Sequence, residues 1–113
     1  MSYDQFLEER IVRILNEKNV PFEAKKMMGG LCFMVDDKMC IGIVKNQLMA
    51  RIHPHNYATY LAEEGVHPMN FTGRAMKGYV FVDSMAIDEE KELTRWIQRC
   101  LDFNPLAKSS KKK

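Results

Sequence analysis

Backbone N–H groups around glycines, with cations beside them, can cradle an anion, and two short segments of this chain offer that combination. One is Lys25-Lys26-Met27-Met28-Gly29-Gly30 and the other is Gly73-Arg74-Ala75-Met76-Lys77-Gly78-Tyr79. Lys26, Gly29, Gly30, Arg74, Lys77, Gly78 and Tyr79 are therefore the candidate ligand- or anion-binding residues, and the region is the place to look for a small-ligand site or an enzyme. Both segments lead into apolar runs that read as strands, so they lack the helix N-terminus of a phosphate loop. Neither matches G-x-x-x-x-G-K-[ST] or G-x-G-x-x-G. The same glycines serve as turns needing positive φ or close backbone approach.

Other reactive residue types give less. His53, His55 and His67, with Cys32 and Cys40 upstream, invite a metal reading, but His53-x-His55 has no second pair at a spacing known for zinc. No metal and no cofactor are expected. A cysteine nucleophile needs a thiolate beside a base, whereas Cys32 and Cys40 fall within apolar strands and Cys100 on the apolar stripe of a helix. Asp36-Asp37 resembles a carboxylate pair, yet turn chemistry accounts for it. No catalytic residue is assigned, and the chain reads as non-enzymatic.

Nine methionines in 113 residues is a high count. Met27, Met28, Met34, Met39, Met49, Met69, Met76 and Met85 fall in or beside the strands, where an unbranched polarizable side chain fills gaps or makes an adaptable binding face. Met28, Met34 and Met76 are the interaction-face candidates, with another protein or a second copy of the chain as partner.

Composition bounds the rest. The chain is 46% hydrophobic and 28% charged, values of a folded domain rather than a disordered one. No stretch approaches the roughly 20 apolar residues of a membrane helix and no apolar leader opens it. Three scattered cysteines suit a reducing compartment, and a cytoplasmic protein without membrane contact is expected. The net charge of +2 becomes −2 once Lys108, Lys111, Lys112 and Lys113 are set aside, so the basic character belongs to a tail. Those four lysines give the alternative of weak, salt-sensitive, sequence-blind nucleic-acid binding.

These residues need elements to position them. Ser2 and Gln5 form a capping-box pattern, and Tyr3, Phe6, Leu7, Ile11, Ile14 and Leu15 recur at helical spacing as far as Lys18. Strands follow at 22–27, 31–35, 39–44 and 47–52, joined by connections too short for anything but an antiparallel meander. A three-residue loop, Asp36 to Lys38, would gather Leu31, Phe33, Val35, Met39, Ile41 and Ile43 on one face and leave Cys32, Met34, Cys40, Gly42 and Val44 opposite. A helix starts at Pro54 and stops at Gly65, residues 67–72 are extended, and Lys77–Asp83 is another strand. The last helix runs from about Asp88 with Leu93, Trp96, Ile97, Cys100 and Leu101 in one stripe. The fold class is α+β, a two-layer arrangement of an antiparallel meander sheet of five to six strands packed by N- and C-terminal helices plus a middle helix. Residues 1–104 form a single domain and 105–113 a disordered basic tail.

Lys26-Met27-Met28-Gly29-Gly30 followed by Phe33 and Asp36, then Met76-Lys77-Gly78-Tyr79 and a last helix with Leu93 and Trp96, resembles the N-terminal domain of the TfoX/Sxy family. The likeness covers about Phe6 to Leu101. It implies a two-layer α+β fold and a regulatory role in natural competence for DNA uptake, and it brings no catalytic residues. The family usually has Phe where this chain has Met28. Full-length regulators similar to it carry a second, C-terminal domain, in whose place this chain has the lysine tail.

Overall fold

The first helix, α1 (Gln5–Glu17), begins where the Asp4 carboxylate accepts the backbone N–H groups of Phe6 at 2.9 Å and Leu7 at 3.2 Å. That satisfies donors which a helix start leaves open. Asp4 thus performs the cap expected of Ser2, which lies outside the residues that the structure, a computed structural model, describes: 4–27, 29–69 and 78–107. Leu7, Ile11, Ile14 and Leu15 are buried. Phe6 was expected on the same stripe but is 68% exposed, because at 3.6 residues per turn it sits roughly 125° round the helix from the stripe's centre. Its ring lies beside the Arg10 guanidinium instead.

Four strands follow, β1 (Glu23–Met27), β2 (Gly30–Val35), β3 (Lys38–Val44) and β4 (Gln47–Arg51), each antiparallel to the one before. A 3-10 turn at Pro54–Asn56 leads into a short helix, α2 (Tyr57–Leu61), then β5 (Val66–Pro68) and β6 (Tyr79–Val82). The strand order is β1-β2-β3-β4-β6-β5, with β6 between β4 and the edge strand β5. The last helix, α3 (Glu90–Phe103), completes an α+β fold with, among the described residues, one open antiparallel six-stranded sheet and three helices. After α3, Asn104–Leu106 form a 3-10 turn and Ala107 is buried.

The β2–β3 hairpin corrects the expected register in an instructive way. Val35 pairs with Lys38, so the loop is the two residues Asp36 and Asp37, both with positive φ, 57° and 63°. That is the mirror-image turn whose twist suits a hairpin. Met34 then pairs with Met39, but Phe33 pairs with Ile41, leaving Cys40 as an extra residue in a β-bulge. The bulge exchanges two expected positions: Cys40 joins the helix-facing core, and Met39 packs on the opposite face. Leu31, Phe33, Val35, Ile41 and Ile43 remain on the helix-facing side as expected.

Both faces of the sheet are buried. On the helix side Phe33, Ile41, Ile43, Leu48 and Val82 pack with Ile11, Leu15, Leu93, Trp96 and Ile97. On the other side Cys32, Met34, Met49 and Met69 form a second buried cluster, with Met39, Tyr79 and Phe81 at its margin. Arg10 and Arg13 in the middle of α1 both hold Glu90 at the start of α3, while Lys18 beyond the end of α1 donates to Gln98 farther along α3. The two helices therefore run parallel across the sheet. Arg99 on α3 lies between the rings of Tyr60 and Trp96, 3.9 Å and 4.5 Å from their centroids, and donates to both carboxylate oxygens of Glu63. It fastens the α2 region to the helix layer.

Candidate functional site

Gly29-Gly30 and Gly78, the described glycines of the two segments, do not converge. Register links Leu31, Ile43, Leu48 and Val82 in one row across the sheet, and Phe33, Ile41, Ala50 and Val80 in another. Gly29-Gly30 lies beyond the first row at one end of β2, whereas Gly78-Tyr79 lies beyond the second at the other end of β6, with β3 and β4 between. Lys26 is exposed on β1 and pairs with Leu31. Arg74 and Lys77 lie outside the described residues, as do Met28 and Met76.

Gly30 and Gly78 each have a backbone reason to be there. A Cβ at Gly30 would run into the carbonyl oxygen of Ile43 on β3, so strand approach demands glycine at that position. Gly78 has φ +95°, a left-handed conformation, and its carbonyl accepts the Ile52 N–H at 2.8 Å, tying β6 to the end of β4. Tyr79, which pairs with Arg51, carries the Arg51 guanidinium 5.4 Å from its ring centroid.

The histidines separate into two places. His53 Nδ1 accepts the backbone N–H of His55 at 3.1 Å, their rings lie tilted with centroids 4.7 Å apart, and His53 meets Phe103 edge-on. His67 on β5 bonds the Asp83 carboxylate at 2.8 Å, and Gln47 donates to the other oxygen at 2.9 Å. Those hydrogen bonds, His67's first, hold the Asp83 carboxyl below the usual range. The pair borders a cleft of about 390 Å³ lined by Glu64, Gly65, His67, Asp83, Met85 and Ala86. Among the described residues no three His, Cys, Asp or Glu side chains come together as a metal site. Burial pushes the Cys32 thiol up to about 11 and Cys40 to about 12, and holds Cys100 well above its ordinary value. All three are buried thiols, as read from their apolar surroundings.

Met34, expected on an exposed binding face, is only 7% exposed and belongs to the second cluster. Among the described residues Met85 is the strongly exposed methionine, at 88%, in a 3-10 turn after β6. With both sheet faces occupied, the backbone available to a partner is at the edges. The β5 edge is three residues long and ends in Pro68, which has no N–H to offer. The β1 edge is longer, and Glu23, Ala24, Lys25 and Lys26 on it are all exposed.

Sequence periodicity did not single out that edge, because a strand's place in the sheet order is a long-range property. Alternation does fix the rest. Met27 pairs with Gly30 across a two-residue connection, so Met27, Lys25 and Glu23 bond toward β2 while Ala24 and Lys26 turn their N–H and C=O groups outward. Glu23 and Lys25 lie opposite Met34 and Cys32 and share the methionine face.

A family model described as the TfoX N-terminal domain matches residues 15–104. No curated protein and no solved structure matches the chain.

Proposed function

The chain belongs to the TfoX N-terminal domain family, and from that premise we propose that it is a non-enzymatic interaction module that docks through its open β1 edge, first of all with a second copy of itself. In the setting that gives the family its name, the module serves the regulation of natural competence for DNA uptake, and the assembly formed through β1 is what a regulatory partner reads.

The observation that carries this reading is the charge pattern of β1. Outward-facing Ala24 can pair with Ala24 of a second copy across a two-fold axis, and that register alone sets Glu23 opposite Lys25, twice, on the face where non-bonded pairs come closest. Centring the axis on Lys25 would oppose like charges. The edge thus favours one antiparallel arrangement and disfavours its neighbour. A five-residue strand pair buries less than the roughly 1,200 Å² of a standard interface, so association is weak and concentration-dependent.

Sedimentation velocity over a concentration series tests it. The natural chain should show reversible dimer formation, Lys25→Glu should abolish it by opposing two carboxylates, and Glu23→Lys/Lys25→Glu together should restore it. A chain that stays monomeric throughout, or a Lys25→Glu variant that dimerises as well as the natural one, rules the reading out.

A further inference from the structure

We propose that the face of the sheet away from the helices holds a binding site for a soft monovalent cation, copper(I), built from the sulfurs of Cys32, Met34, Met49 and Met69. Among the described residues, the fully buried hydrophobic side chains of that face are these four, every one of them sulfur-bearing. A filler role asks only for apolar volume, which leucine or isoleucine supplies equally well. Four thiol and thioether groups gathered together also make the ligand set that copper(I) prefers.

Register and one glycine bring them together. Cys32 pairs with Gly42 on β3, and Gly42 with Met49 on β4. Having no side chain, Gly42 leaves a hollow between its neighbours, and the Met49 methyl lies only 2.7 Å from where a Cβ at position 42 would stand. The Met49 thioether is therefore drawn over β3 toward Cys32. The Cys32 Sγ and Met34 Sδ atoms are 3.8 Å apart. With metal–sulfur bonds of about 2.3 Å, that separation corresponds to an angle at the metal of roughly 110°, between trigonal and tetrahedral. Met69, fully buried in the same cluster, supplies the fourth sulfur.

The surroundings select the ion. Among the described residues no carboxylate or imidazole is buried, so zinc, calcium and magnesium lack there the harder ligands they favour. Binding copper(I) replaces the Cys32 S–H bond with a copper–sulfur bond and releases one proton to solvent. The product is a neutral copper–thiolate with thioether donors, which burial penalises far less than an uncompensated charge, and the Arg51 and Lys25 cations acting on Cys32 favour its thiolate. Half-buried Met39, Tyr79 and Phe81 at the margin lie between the cluster and solvent.

Anaerobic titration of the full chain with copper(I) held by bicinchoninate, a coloured chelator, provides the test. The chain should withdraw one equivalent. Its affinity should fall about tenfold for each pH unit of acidification, because one proton competes with the metal. Met49→Leu keeps the volume and removes the thioether, so it should weaken binding by an order of magnitude or more while leaving the far-ultraviolet circular dichroism unchanged. Cys32→Val should remove the proton release. Failure to withdraw copper(I) from the chelator overturns the proposal. So does equal affinity in Met49→Leu and Cys32→Val, which would place any bound copper at Cys40, Cys100 or elsewhere.

Discussion

At Gly30 an added methyl group would collide with the Ile43 carbonyl, a backbone atom that cannot swing aside without parting β2 from β3. Gly30→Ala should therefore cost about 2–4 kcal/mol, read as a lower urea midpoint at unchanged slope. Asp83 acts through hydrogen bonds. Its carboxyl is held low chiefly by His67 and then by Gln47, so the stabilisation is complete above the unfolded value and fades as pH falls through the lower folded one. Asp83→Asn should thus narrow its stability gap from the natural chain as urea titrations are taken downward from the ordinary aspartate value of 3.8. The gap is small because both side chains of the pair are well exposed. At this scale the sequence marked the glycines as positions of positive φ or close backbone approach, and Gly78 and Gly30 show one of each. Residue types show that a cation and a glycine are neighbours along the chain, but only strand register shows that Gly30 and Gly78 end up at opposite ends of the sheet.

Among the elements, α2 depends most on a single side chain. It is one short turn and a half, with no buried residue of its own, and Arg99 reaches it from α3 by stacking on Tyr60 and bonding both oxygens of Glu63. Lysine keeps the charge but loses the planar fork and the stacking surface. Arg99→Lys should lower stability by about 1–2 kcal/mol, and hydrogen exchange should quicken in residues 57–63 before it does in the strands. Most helices and strands were legible from periodicity alone. The β2–β3 hairpin was not, because loop length and facing were treated as one choice. The Cys40 bulge separates them, allowing a two-residue turn beside Asp36 and the apolar facing of a longer loop farther along. Nothing in a strand of near-continuous apolar residues marks where the extra one falls. The cap was misplaced for a simpler reason, since Ser2 and Asp4 are both good caps and lie two residues apart.

For the molecule as a whole, a sheet buried on both faces ties the helix-side core and the methionine cluster to the same strands. Losing either face exposes the backbone of the other, so unfolding should be all-or-none. Trp96, the one tryptophan, is 1% exposed in the helix-side core and reports on that side alone. Its emission and the far-ultraviolet circular dichroism should trace coincident thermal transitions; an earlier change in either would separate the two halves. The methionine face was half-read from the sequence: its second apolar surface was visible in Cys32 and Met34, but the chain's turn back to seat Met69 against it was not.

The parallel course of α1 and α3 has a mechanical corollary. Asp4 caps the start of α1 beside the β3–β4 turn, and Ala107 follows the end of α3, where Asn104 bonds the end of β2. Tension drawn between those two points runs lengthwise along the helices and slides them over the sheet in shear. Ile11, Leu15, Trp96 and Ile97 would have to leave their seats together, so the fold should resist stretching as a bolted joint does rather than opening like a zip.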